Sequence, residues 1–414
     1  MQVRTIFRGT ETVVRAEGWP GEVERAAVAW DASPALLSLV FAAMERGAQI
    51  ALLNTRLTEA ERRAQLAALG LHKKVNGVHL PEGEVNAVHQ DFSGPAALLF
   101  TSGTTGIPKA AVLPLASLLA NAGAANDLLG IDKESRCLCA MPLFHVGGLG
   151  IALRCALSGA TLLLHERFDA KAVAHELRTG ATHASLVAAT LARVLDENES
   201  AGGGGTFPKS VRNVLVGGGP VPKPLLERAR KAGLPVLQTY GLTETCSMAT
   251  CERPGEADGK TAGVPMRGIE LQIDQGEILL KGPQLMRGYL DHPPLEGFFR
   301  TGDLGELDQK GRLTIHARRT DLIVSGGENV YPAEIEAALL AHPAVTEAAV
   351  LPAPDERWGQ VGVAYVVTTA AESELRAHLG SLLARYKIPA RFERLPELPR
   401  LASGKVDRRK LSGR

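Results

Sequence analysis

Apolar positions in this chain fall into short continuous runs, separated by stretches with helical spacing. Ala27–Trp30 and Ile50–Leu53 have the length and composition of strands buried on both faces. Between them Pro34–Arg46 reads as a helix, with Ser33 placed to cap its first turn. Thr58–Leu69 reads as a second helix. Thr58 and Glu61 have capping-box spacing, and Gly70 stands just past its end. Further strands are expected at Ala96–Phe100, Arg136–Ala140, Thr161–Leu164, Ala184–Val187, Val211–Val216 and Val236–Gln238. Helices such as Ala170–Arg178 and Pro224–Ala232 fall between several of them. That alternation predicts α/β architecture with largely buried parallel strands.

The pattern changes after about Gly255. Short strands at Glu270–Ile273, Glu277–Lys281 and Leu313–His316 are separated by Asp/Gly turns. From Pro332 a helix to Leu340, strands Val345–Leu351 and Val361–Val367, and a helix Glu372–Leu383 form a closing unit. The last thirty residues read as loop. The expected fold class is therefore α/β. A large N-terminal part, residues 1–317, carries βα-layered subdomains plus a small β-rich one, and a small α+β C-terminal domain follows over 318–414.

Composition narrows the function classes. At roughly 150 residues per domain, a chain of 414 residues suggests two or three domains. Lys and Arg number 46 and Asp and Glu 45, a formal charge of +1, which argues against a bulk nucleic-acid binder. The basic excess is local: Ser381–Arg414 holds ten Lys and Arg against three Asp and Glu. Nucleic acid, a face for phosphate-bearing substrates, or plain solvation would each explain it. Five cysteines cannot make a dense disulfide framework, and Cys137-x-Cys139 lacks zinc-ribbon spacing, so reduced, mostly buried thiols are expected. No apolar run reaches eighteen residues and the N-terminus lacks a secretory core, so the expectation is a cytoplasmic protein with no membrane span. Four consecutive glycines within Ala201–Thr206 read as a surface loop.

The strongest chemical signal is Leu98-Leu-Phe-Thr-Ser-Gly-Thr-Thr-Gly-Ile-Pro-Lys109. A buried strand runs into a loop of Thr, Ser and Gly that ends in a lysine. Small residues let backbone N–H groups approach an anion, hydroxyls donate further bonds, and Lys109 adds charge. The order of a Walker A loop is absent. By itself the segment fits a polyphosphate site or a polar turn equally well.

This loop resembles the phosphate loop of the adenylate-forming superfamily of acyl-CoA synthetases, peptide-synthetase adenylation domains and luciferases. Thr239-Tyr-Gly-Leu-Thr-Glu-Thr245, Arg300-Thr-Gly-Asp-Leu-Gly305, Arg318-Arg-Thr-Asp-Leu-Ile-Val-Ser-Gly-Gly-Glu-Asn329 and Leu401-Ala-Ser-Gly-Lys405 are similar to its later motifs and follow in the same order. Leu53-Asn-Thr-Arg-Leu57, Met141-Pro-Leu-Phe-His-Val-Gly-Gly148, Val216-Gly-Gly-Gly-Pro-Val-Pro-Lys-Pro-Leu225 and Ser325-Gly-Gly-Glu-Asn-Val-Tyr-Pro-Ala-Glu-Ile335 are similar to the 2-succinylbenzoate–CoA ligases of menaquinone biosynthesis, and would also suit another aryl- or acyl-CoA ligase.

The resemblance implies an enzyme using ATP, Mg2+ and coenzyme A, with a carboxylic acid as the remaining substrate. It implies that Thr101, Ser102, Gly103, Thr104, Thr105, Gly106 and Lys109 cradle the β- and γ-phosphates. Gly217, Gly218, Gly219, Thr239, Tyr240 and Gly241 would surround the adenine, with Tyr240 stacking on it. Thr243 would meet the α-phosphate, Glu244 would hold Mg2+, Asp303 would bind the ribose hydroxyls, and Arg318 would contact ribose or phosphate. Lys405 would serve adenylation and then leave as the small domain rotates about a hinge near Thr320. Gly326 and Gly327 would line the thiol tunnel. His145 and Val187–Thr190 would wall the acyl pocket. A homodimer is also implied, with no nucleic-acid partner.

Thr320 stands where the family usually carries Asp or Lys, and Ala317 where it often carries Gly. The match starts near Val23–Trp30, so a preceding stretch is expected to be mostly absent and Gly255–Lys281 trimmed. Each site residue also has a plain structural reading. Glu244 suits a helix N-terminus, Asp303 a Thr-Gly-Asp turn, Tyr240 and His145 a packed core, and Lys405 a solvated tail. A peptide-synthetase domain fits less well, since no Asp in the His145 segment could hold an α-amine. A non-catalytic AMP- or CoA-binding relative is the non-enzyme alternative.

Overall fold

Ala, Leu and Val runs with both faces covered build the centre of the molecule. We describe it from a computed structural model covering residues 1–20, 23–57, 59–75, 78–81, 94–101, 109–200, 205–219, 221–290, 292–318, 322–325, 328–355, 359–383, 385–401 and 405–413. Thr58 of the expected capping box, residues 102–108, residues 201–204 with three of the four consecutive glycines, Thr320, Gly326 and Gly327 lie outside the described residues.

Among the described residues the largest sheet has nine strands. Their order is Val264–Pro265, Ser247–Cys251, Val236–Leu242, Asn213–Val216, His183–Leu186, Arg136–Cys139, Thr161–Leu164, Gln2–Phe7, Thr10–Arg15. Its centre is parallel and its two edges antiparallel. A second sheet orders Gly288–Tyr289, Lys109–Pro114, Ala96–Thr101, Gln49–Leu52, Arg25–Val28, Val78–Pro81 and Leu71–Val75. Glu270–Asp274, Glu277–Lys281, Phe299–Leu307 and Leu313–Arg318 make the small antiparallel sheet expected after Gly255.

One large apolar cluster joins the first two sheets through Phe41, Leu99, Leu113, Leu149 and Met248. The C-terminal sheet centres on Val345–Asp355 and Gly359–Thr368 and has its own cluster of Ile323, Ile335, Leu339, Val350, Val366 and Leu379. All five cysteines are free and buried. No helix among the described residues is long and apolar enough to cross a membrane.

Helix Pro34–Glu45 starts as its sequence indicates, with Ser33 Oγ accepting from Leu36 N at 3.2 Å. Three features depart from the reading above. Residues 2–15 form a hairpin on the edge of the large sheet. Edge strands need few apolar residues, and here only Val3, Thr5 and Val14 are buried, so the alternation is faint. Helices Leu115–Leu129 and Val146–Ser158 have buried residues around most of their circumference, which removes the 3.6-residue signal. The C-terminal thirty residues are not simple loop. Arg391–Arg394 adds a parallel strand and Arg408–Ser412 is helical. Three of their basic residues, Lys387, Arg400 and Arg408, pair with Glu334, Glu347 and Glu336.

Candidate active site

Parallel strands aim their carboxyl ends at one edge, where connecting loops diverge and leave a crevice. Four strands of the large sheet deliver candidate residues there. Arg136–Cys139 leads to His145, His183–Leu186 to Val187–Thr190, Asn213–Val216 to Gly217–Gly219, and Val236–Leu242 to Thr243 and Glu244.

Close backbone packing explains two of the glycines. A Cβ on Gly217 would sit 2.9 Å from the Thr239 carbonyl oxygen, and one on Gly241 only 1.7 Å from that of Ser247. Gly218 has φ +79°, and a Cβ there would lie 3.8 Å from Lys405 Cε. Lys405, from the opposite end of the chain, therefore reaches the ends of the large sheet's strands. Its backbone oxygen accepts from Leu401 N at 2.8 Å, and Arg408, at the start of the following helix, is bonded to Glu336 at 2.7 Å.

Asp303 is 5% exposed and accepts from the Tyr240 hydroxyl at 2.7 Å. Tyr240 is itself 7% exposed and belongs to the main apolar cluster. Asp303 N donates to Thr301 Oγ1 at 3.1 Å, and Asp303 faces Arg318 across the antiparallel register. The ribose candidate and the start of the hinge segment are thus neighbours. Thr101 and Lys109 face each other across the strands that bracket residues 102–108. Ser102, Gly103, Thr104, Thr105 and Gly106, together with the Arg318 side chain, lie outside what the structure describes.

Thr243–Thr245 form one 3-10 turn, followed by Cys246 at φ 54° and Ser247 at φ 114°. Two adjacent non-glycine residues in this region hold strain that the surroundings must maintain. Asn121 does so, donating through Nδ2 to the carbonyls of Thr245 at 3.1 Å and Met248 at 2.7 Å. Glu244 Oε1 accepts from Tyr289 Oη at 2.6 Å. One carboxylate bonded to Tyr289, whose strand pairs with Lys109–Pro114, suits Mg2+, which binds through one or two carboxylates plus substrate phosphates and keeps water for the rest.

His145 precedes helix Val146–Ser158, and its Nε2 is buried with no hydrogen-bond partner among the described residues. Burial, reinforced by the cations Lys405 and Arg56, pushes its pKa from 6.5 to about 4. The unfolded chain therefore gains a proton as pH falls through 6.5 while the native state does not, so stability is lost between pH 6.5 and 4. At pH 5 this amounts to about 2 kcal/mol. His145→Asn should remove most of that loss, so urea midpoints of variant and wild type converge from pH 7.5 to pH 5. Parallel pH profiles would refute the assignment.

Sequence reasoning missed Arg154. It is 3% exposed, on the helix that His145 precedes, and its Nε has no hydrogen-bond partner among the described residues. Its Nη2 lies 3.2 Å from Met248 Sδ and 3.8 Å from where a Gly150 Cβ would stand, beside Ser247. Burial works against its charge and holds its pKa below the usual guanidinium range, partly offset by the nearby cysteine sulfurs, Cys137 first. A cavity of about 10 Å3 lined by Arg154, Cys137, His183 and Asn213 has room for about one water. A larger cleft of about 340 Å3 is lined by Asp31, Arg56, Phe144, Glu166 and Arg167.

The AMP-binding enzyme family matches residues 72–290, more than half of the chain. The chain belongs to the AMP-binding enzyme family. The AMP-binding enzyme C-terminal domain matches residues 334–405. A 2-succinylbenzoate–CoA ligase of Bacillus pumilus (strain SAFR-032) is 38% identical over 423 residues, covering 92% of this chain and 86% of that protein. The o-succinylbenzoate CoA synthetase of Bacillus subtilis in complex with the acyl-adenylate intermediate superposes with a TM-score of 0.85, at 33% identity over 99% of this chain and 95% of that one. The same enzyme with ATP and magnesium ion gives 0.84. Its double mutant bound to the product analogue OSB-NCoA gives 0.66, again at 33% identity, over 100% of this chain and 96% of that one.

Proposed function

We propose that this chain is an AMP-forming acid–CoA ligase whose acid is 2-succinylbenzoate, acting in menaquinone biosynthesis. The acid carboxylate attacks the α-phosphorus of ATP and releases diphosphate. The thiol of coenzyme A then displaces AMP from the acyl-adenylate and yields 2-succinylbenzoyl-CoA. The single observation that carries the reading is Lys405 at Gly218, a C-terminal cation placed at the strand ends of the N-terminal sheet.

In this arrangement Lys405 neutralises charge between the incoming carboxylate and the α-phosphate. Thr243 donates to the α-phosphate, and Thr101 and Lys109 flank the loop that takes the outer phosphates. Glu244 holds Mg2+, which when bound offsets the charge of the triphosphate. Asp303, oriented by Tyr240, accepts from the ribose hydroxyls. Neutral His145 leaves Nε2 to bond the acid.

Mass-spectrometric detection of acyl-CoA and AMP over a panel of carboxylic acids tests the substrate. Product from 2-succinylbenzoate far above that from benzoate or fatty acids supports the reading. Preference for a monocarboxylic acid would favour another acyl-CoA ligase activity.

A further inference from the structure

The segment Met286–Leu290 belongs to none of the motifs read from the sequence, yet it joins two halves of the ATP site. Met286 N donates to the carbonyl of Glu244 at 2.7 Å. Arg287 N and Leu290 N donate to the carbonyls of Val112 and Ala110, each at 2.9 Å. Gly288 and Tyr289 pair with Val112 and Ala111, on the strand that Lys109 begins. Main-chain bonds thus clamp this segment between the turn that carries Glu244 and the exit of the phosphate loop.

The Tyr289 side chain bridges the same two features. Its hydroxyl donates to Glu244 Oε1 at 2.6 Å, and its ring centroid lies 5.3 Å from Lys109 Nζ. A hydroxyl bonded to a carboxylate at that distance is a charge-assisted bond, stronger than a neutral one. An ammonium within about 6 Å of a ring centroid is held by the ring's electron-rich face. We infer that Tyr289 is a positioning residue that fixes the carboxylate of Glu244 for Mg2+ and holds Lys109 against the outer phosphates. This rests on the ligase reading above.

The chemistry explains the residue type. One Oε1 lone pair is committed to the hydroxyl, which fixes the plane of the carboxylate and leaves Oε2 for the cation. Carboxylates that bind metals are commonly held in this way by outer hydrogen bonds. A phenylalanine keeps the lysine contact and loses the carboxylate bond. A leucine loses both.

The two effects separate in direct ATP binding, measured by calorimetry at graded Mg2+ and in EDTA. Tyr289→Phe should raise the Mg2+ concentration at half-effect about tenfold. Its ATP affinity in EDTA and its thermal midpoint should match wild type. Tyr289→Leu should also weaken ATP binding in EDTA, by about threefold. An unchanged Mg2+ midpoint in Tyr289→Phe would overturn the inference and leave the ligase reading standing. Equal weakening with and without Mg2+ in Tyr289→Phe would overturn it too, since a packing role acts on both. Failure of wild type to bind ATP under any condition would overturn the ligase reading and this inference with it.

Discussion

Replacing Lys405 by alanine is expected to slow acyl-adenylate formation by about 10²- to 10³-fold, the usual loss when a preorganised charge is taken from a developing anion. The second half-reaction, started from supplied acyl-adenylate and coenzyme A, should fall by less than about threefold, because Lys405 stabilises no charge that develops there. Lys405 is exposed and forms no part of an apolar cluster, so folding should be unaffected. Pyrophosphate release and acyl-CoA formation, measured separately, check the division. Equal loss in both steps would show that Lys405 acts on the small domain as a whole.

The second large effect is expected at Arg154. Arg154→Met should raise the thermal midpoint, because a buried cation opposed by its own desolvation is exchanged for an apolar side chain of similar length. The KM for 2-succinylbenzoate should stay within about threefold of wild type, since the cavity beside the guanidinium has room for about one water and not for a carboxylate. A lowered midpoint, or a KM raised for 2-succinylbenzoate and not for benzoate, would contradict the assignment.

The contrast between Lys405 and Arg154 shows what was legible. Lys405 and Asp303 sit in ordered motifs, and motif order is a property of the chain itself. The buried parallel strands were legible because both faces are covered and their apolar runs are continuous. Arg154 was not legible. A single arginine in the apolar stretch Val146–Ser158 looks like a solvent-facing position until the helix is seen buried around most of its circumference. Tyr289 was hidden for another reason. Its strand has two residues, too short to show a period, and its partner Glu244 lies 45 residues away in sequence. Asn121, which holds the strained turn at Cys246 and Ser247, bonds carbonyls more than 120 residues away. Such contacts are set by tertiary packing and leave no local pattern.

The order of chemical events is the centre of the account. Purified enzyme mixed with 2-succinylbenzoate, ATP and Mg2+, with coenzyme A withheld, should release diphosphate in a burst close to one equivalent per site. AMP should stay bound as acyl-adenylate until coenzyme A is added, and then appear together with acyl-CoA. A requirement for coenzyme A before any diphosphate is released, from folded protein, would contradict it.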